Sequence, residues 1–198
     1  MNRPAIVNAP RIAVIGGYQP RRCGIATFTT DLVTALAAAA PTTDWPVIAM
    51  TDTPDGYPYP SAVWLALEQQ HLPSYRRAAA EINAAGVELV LLQHEYGIFG
   101  GPTGEHVLAL LSHLRPPLVT TLHTILREPD AVQRRVLGEL ARLSARLVVM
   151  SRQGAESACT RSTGCRWRRS RSSPTASPMC RSSIRRGING GSDWAVVR

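Results

Sequence analysis

Lysine is missing from this 198-residue chain, so all 22 of its basic residues are arginines. Without Lys there is no Gly-Lys-Ser/Thr phosphate loop, and the Gly-x-Gly-x-x-Gly fingerprint of a dinucleotide site is absent as well. Cysteine is scarce: Cys159, Cys165 and Cys180 lie near the C-terminus, leaving Cys23 alone in the first 156 residues. That distribution excludes a disulfide framework and paired Cys-x-x-Cys metal spacing. No apolar run approaches the ~18 residues that a membrane-spanning helix requires. The first residues place Arg3 and Arg11 around a short apolar stretch with no cleavage-type segment, so a soluble cytoplasmic protein is expected.

Charge divides the chain at Glu156. Residues 1–156 hold 13 Arg against 13 Asp and Glu, whereas 157–198 hold 9 Arg against Asp193 alone, so the formal charge of +8 belongs to the tail. The tail is rich in Arg, Ser and Pro and has no period, which predicts disorder over 157–198. Arg166, Arg168, Arg169 and Arg171 around Trp167 resemble a single-strand nucleic-acid patch. The neutral body offers no basic face to extend it, and no specific nucleic-acid partner is expected.

Ahead of the seam, apolar runs recur at 11–15, 46–50, 62–67, 89–92, 118–122 and 147–150, mostly without strict alternation. Strands covered on both faces read this way. Helical stripes lie between them: Ile25, Phe28, Leu32 and Leu36, then Val132, Val136, Leu140 and Leu143, with a further apolar face over 107–114. Ser74 and Gly86 are the expected N-cap and C-terminal stop of another helix. Alternating strands and helices predict an α/β domain with a doubly wound parallel sheet. It is bounded as 1–10 lead, 11–156 Rossmann-like domain and 157–198 tail.

Ligands of such sheets sit outside the carboxyl ends of the strands, so the polar residues following each apolar run carry the functional information. Gly16 and Gly17, then Arg21, Arg22 and Gly24, follow the first run. A glycine-rich turn opening a helix lets backbone N–H groups approach an anion, and the arginines would add charge-assisted contacts. A plain βα turn with solvated arginines fits the same residues equally well. His94 and Glu95 end the fourth run and His123 ends the fifth, so imidazoles and a carboxylate are brought to one edge. A hydrogen-bonded structural histidine is the commoner fate of such a residue. A His/His/Glu metal site is not favoured by the spacing.

The stretches PRRCGIATFTTDLVTAL, QHEYGIFGGPTGEHVLALL, LVTTLHTIL and SARLVVMSRQGAE, in that order, resemble the N-terminal domain of bacterial family-four (group 1) glycosyltransferases with the GT-B fold. The resemblance covers roughly 11–156. It implies two Rossmann-like domains across a cleft, the first mainly binding an acceptor and the second a nucleotide-diphosphate sugar. It also implies retaining transfer without a bound metal or other cofactor. Gly16, Gly17 and Gly24 then match the loop near the donor diphosphate, and His94 the histidine that reaches the transferred sugar. Arg21, Arg22, Glu95 and His123 fall in matching motifs as acceptor or cleft residues. The basic pair and carboxylate motif of the second domain have no counterpart here.

After SRQGAE the tail departs from that family. Compatible codons for it, read in a shifted frame, spell the helix, strand and proline-histidine-glycine turn that would lead into a second domain. The expectation is a frameshift near Ser157 that truncates the enzyme, leaving an inactive half with apolar surface prone to self-association. The alternatives are a non-catalytic α/β binding module and, less favoured, a nucleic-acid binder acting through the tail.

Overall fold

A computed structural model of the protein describes residues 9–150 together with two strand segments nearer the C-terminus. Six parallel strands form the body of the sheet: β1 (Ile12–Gly16), β2 (Val47–Thr51), β3 (Val63–Glu68), β4 (Leu89–His94), β5 (Leu118–Leu122) and β6 (Arg146–Val149). Their spatial order is β3-β2-β1-β4-β5-β6, with the chain reversing direction across the sheet between β1 and β4. This is the order of a Rossmann-like doubly wound sheet, whose ligand crevice lies at that reversal. Every apolar run picked out in the sequence is a strand, displaced by a residue or two at its ends.

Among the described residues, four α-helices cover the sheet: α1 (Gly24–Ala39), α2 (Leu72–Ala84), α3 (Val107–Leu111) and α4 (Ala131–Leu143). The buried face of α1 is Ala26, Thr29 and Val33 rather than the expected stripe, whose Phe28 is exposed. Close approach explains the difference. A Cβ placed on Gly16 would lie 3.1 Å from Thr29 Oγ1, so only small side chains fit between this helix and β1. The Thr29 hydroxyl is not wasted, because it donates to Ile25 O at 2.7 Å. Helix α4 buries Val136, Leu137 and Leu140, close to the predicted stripe, and leaves Val132 exposed.

Capping is partly as expected. Gly86, at φ +69, follows α2 as its left-handed stop. Ser74 is not the N-cap: His71 holds that position, Pro73 occupies the first turn, and the Ser74 hydroxyl reaches back to His71 O at 2.7 Å. Proline in the first turn costs no hydrogen bond, so the helix starts earlier than the serine suggests. Asp130 caps α4 with a full capping box, accepting from Val132 N and Gln133 N while Gln133 returns a bond to the Asp130 backbone.

Two further strands, β7 (Ser183–Arg186) and β8 (Asp193–Val197), pair antiparallel with each other, and β8 pairs with β6. These stretches were expected to lack order, since nothing in their sequence alternates; backbone pairing along the open edge of β6 needs no such pattern. The rest of the tail, including the Glu156 seam, Ser157 and the arginine cluster around Trp167, lies outside the described residues. No helix among the described residues is long and apolar enough to cross a membrane.

Candidate functional site

The carboxyl edge of the sheet is assembled from the ends of five neighbouring strands. At β1 the chain turns through Gly16 and Gly17, both buried, and enters α1 after Cys23. A Cβ on Gly16 would lie 3.0 Å from Gln93 Cβ, and one on Gly17 would lie 3.2 Å from Ala26 N. Glycine here lets the turn wrap against both β4 and the first turn of α1. Cys23 is the N-cap, its sulfur accepting from Ala26 N at 3.3 Å. Gly24 stands exposed, with nothing within 4 Å of a Cβ built on it.

Arg21 is turned into the protein. It is 8% exposed, with Nη1 donating to Met50 O at 3.2 Å and Nη2 donating to Gln69 Oε1 at 3.1 Å and pairing with Asp52 Oδ2 at 3.3 Å. Tyr57 donates its hydroxyl to the other oxygen of Asp52 at 2.7 Å. The guanidinium therefore ties the β1–α1 turn to the ends of β2 and β3. A planar fork with several N–H groups is well satisfied where backbone and side-chain acceptors converge. Arg22 is exposed and free of such ties.

Across the switch point, β4 ends in Gln93 and His94 and β5 is followed by His123. His123 N donates to His94 O at 3.0 Å, which holds the two strand ends in register. The His123 ring is half-buried, lies within 3.0 Å of Gln93 Oε1 through Nε2, and meets Phe28 edge-on with centroids 4.7 Å apart. Burial lowers its pKa against the opposing pull of the Glu95 carboxylate. Glu95 accepts a hydrogen bond from the Thr124 hydroxyl and is itself half-buried.

His94 is entirely enclosed. It is 0% exposed, edge-on to Tyr96 at 4.9 Å and stacked on Phe99 at 5.7 Å, and neither ring nitrogen has a partner. Burial, reinforced by the neighbouring His123, takes its pKa down to about 3, so the ring is neutral at physiological pH. Direct contact with a sugar, the role the resemblance implied, is closed to it in this arrangement. The physical reason is the aromatic pair that follows β4, whose rings occupy the space over the imidazole. Of the two histidines, His123 is the one at the open edge.

The structure thus gathers Gly16, Gly17, Gly24, His123 and Glu95 around the β1, β4 and β5 ends, turns Arg21 inward and covers His94. Among the described residues, no group of three His, Cys, Asp or Glu side chains converges as metal ligands. Gln69, Asp52 and Tyr75 also shape this edge and escaped the sequence reading. The rule that found the others, a polar residue just after an apolar run, points equally to Asp52 after β2 and Gln69 after β3. Tyr75 carries no such signal, since it sits on a helix face. No protein-family model matches the chain, and neither does any curated protein.

Proposed function

We propose that this domain is the acceptor-side half of a retaining GT-B glycosyltransferase, which in its intact form transfers a hexose from a nucleotide-diphosphate sugar to an acceptor hydroxyl. The observation that carries the reading is the meeting, beside one switch point, of a tight glycine turn against the first turn of α1 with the open-edge imidazole that follows β5, two strands from β1, and packs against Phe28 of the same helix. A helix start fronted by glycines suits a diphosphate. A neutral imidazole, able both to donate and to accept, suits sugar hydroxyls. On this reading Gly16, Gly17 and Gly24 border the diphosphate, His123 contacts the sugar, and Arg22 and Glu95 line the acceptor side. The domain requires no resident metal or organic cofactor.

The charges that stabilise the leaving diphosphate would belong to the second domain, so the 198-residue chain is expected to be inactive alone. A shift of reading frame near Ser157 accounts for the change of composition. Sequencing the gene across the codons for 150–198 and beyond, then expressing the frame-restored protein with a panel of nucleotide sugars, tests both parts. The expected result is a second α/β domain in the shifted frame and hexose transfer by the restored protein alone. Absence of that second open frame, or turnover by the short chain, would sink the reading.

A further inference from the structure

We propose that residues Tyr96 to Gly101 form a hinged roof over His94, with Tyr75 as its latch. The imidazole carries one N–H donor and one lone pair, and both are enclosed without a partner. Buried polar groups are paired in the great majority of folded proteins, so a histidine left this way at a strand end marks a place where a second arrangement satisfies it. The rings that enclose it are Tyr96 and Phe99, which belong not to the sheet but to the loop directly following its own strand.

A few polar ties hold that loop to the junction between β3 and α2. Gly100 N donates to the Tyr75 hydroxyl at 2.9 Å, and that hydroxyl donates in turn to Gln69 O at 2.7 Å. Gln69 Nε2 donates to Gly97 O at 3.0 Å, and Gly101 N donates to Gln70 Oε1 at 3.1 Å. The seat is close, since a Cβ on Gly100 would stand 1.9 Å from Gln69 O. Beyond the seat the backbone turns through Gly101 at φ +82 and Gly104 at φ +77, left-handed positions open to glycine. A segment with a polar latch at one point and glycine pivots beside it can lift as a unit. Burial of Ile98 and Phe99 keeps the closed form dominant. Lifting uncovers both ring nitrogens of His94 to hydrogen-bonding partners. The gate stands on the packing around His94 and not on transfer chemistry, so either can fail without the other.

Labelling of the full chain with diethyl pyrocarbonate at neutral pH, read at His94 by mass spectrometry, tests this without any ligand. Amide exchange at Val14 and Leu92 in the same samples reports global unfolding. The roof predicts that His94 is modified several-fold faster than the chain unfolds, and that Tyr75→Phe raises the rate a further several-fold. Gln70→Ala, a change at an exposed side chain, is expected to raise it by less, and it keeps the test valid should Tyr75→Phe fold poorly. If His94 labelling follows the unfolding of Val14 and Leu92 in all the proteins that fold, the ring is a fixed core residue and the proposal is overturned.

Discussion

At the scale of single residues, two buried cationic or ionisable groups have opposite histories. Arg21 is buried because it is satisfied: three acceptors, one in β2 and the others just after β2 and β3, converge on one guanidinium. Truncating it leaves the buried Met50 carbonyl without that donor and frees Gln69 and the exposed Asp52 to solvent, so Arg21→Ala is expected to lower stability by about 1–3 kcal/mol, read as a fall in the urea midpoint. An unchanged midpoint would mean that these contacts contribute nothing to stability. His94 is buried neutral. Its folded pKa of about 3 lies below the ordinary value of 6.5, so between those values the unfolded chain binds more protons than the folded one. Stability should therefore fall as pH drops below about 6.5, by about 1.4 kcal/mol per unit at full slope. His123, shifted the same way, adds to it. Comparing urea midpoints of the wild type and His94→Phe at pH 7 and pH 5 isolates the effect, and equal acid sensitivity in the two would remove His94 as its cause. Neither behaviour was legible in the sequence, because Arg21 and Arg22 are chemically identical neighbours. What separates them is which one meets the ends of β2 and β3, a long-range fact.

Among elements, strands were the most readable and helix faces the least. A run such as Val-Ile-Ala-Met at β2 is apolar on both sides because helices cover both sides, and that signal needs no knowledge of neighbours. The face of α1 depends instead on how near the helix comes to Gly16, which explains why Ala26 and Thr29 displaced bulkier residues. The same proximity sorts the three glycines of the β1–α1 turn. Gly17→Ala sets a methyl 3.2 Å from a backbone nitrogen that cannot move aside, and Gly16→Ala sets one 3.0 Å from Gln93 Cβ. Each is expected to cost about 1–3 kcal/mol, the range for overfilling a packed site. Gly24→Ala meets open space at the start of a helix. It should be neutral or stabilising by about 0.4–1 kcal/mol, as expected for a compatible glycine replacement. Thermal denaturation of the three variants checks the order, and a costly Gly24→Ala would mean that the turn is shaped by something other than contact.

Over the whole molecule, the large apolar side chains left exposed among the described residues are Phe28, Val132 and Met150. Their positions are related by topology. Phe28 and Val132 lie within the first five residues of the helices that follow β1 and β5, and Met150 follows β6, so all three belong to the carboxyl side of the sheet. That is the side that carries the glycine turn and His123. Scattered exposed apolar residues are ordinary, but their confinement to one edge is what a surface normally covered by another body would show. If the proposed second domain is the body that covers it, the edge of this chain alone is expected to find a substitute in a second copy. Sedimentation of the 198-residue protein over a concentration series should then give an apparent mass that rises above 21.5 kDa with concentration. Replacing Phe28, Val132 and Met150 together by Ser should return it to the monomer value. All three side chains are exposed, so a folded triple variant is expected, and an intact unfolding transition in that variant lets a loss of association be assigned to the edge. A wild-type chain that stays monomeric throughout would mean that the edge needs no cover, and the case for a missing partner domain would lose its physical support.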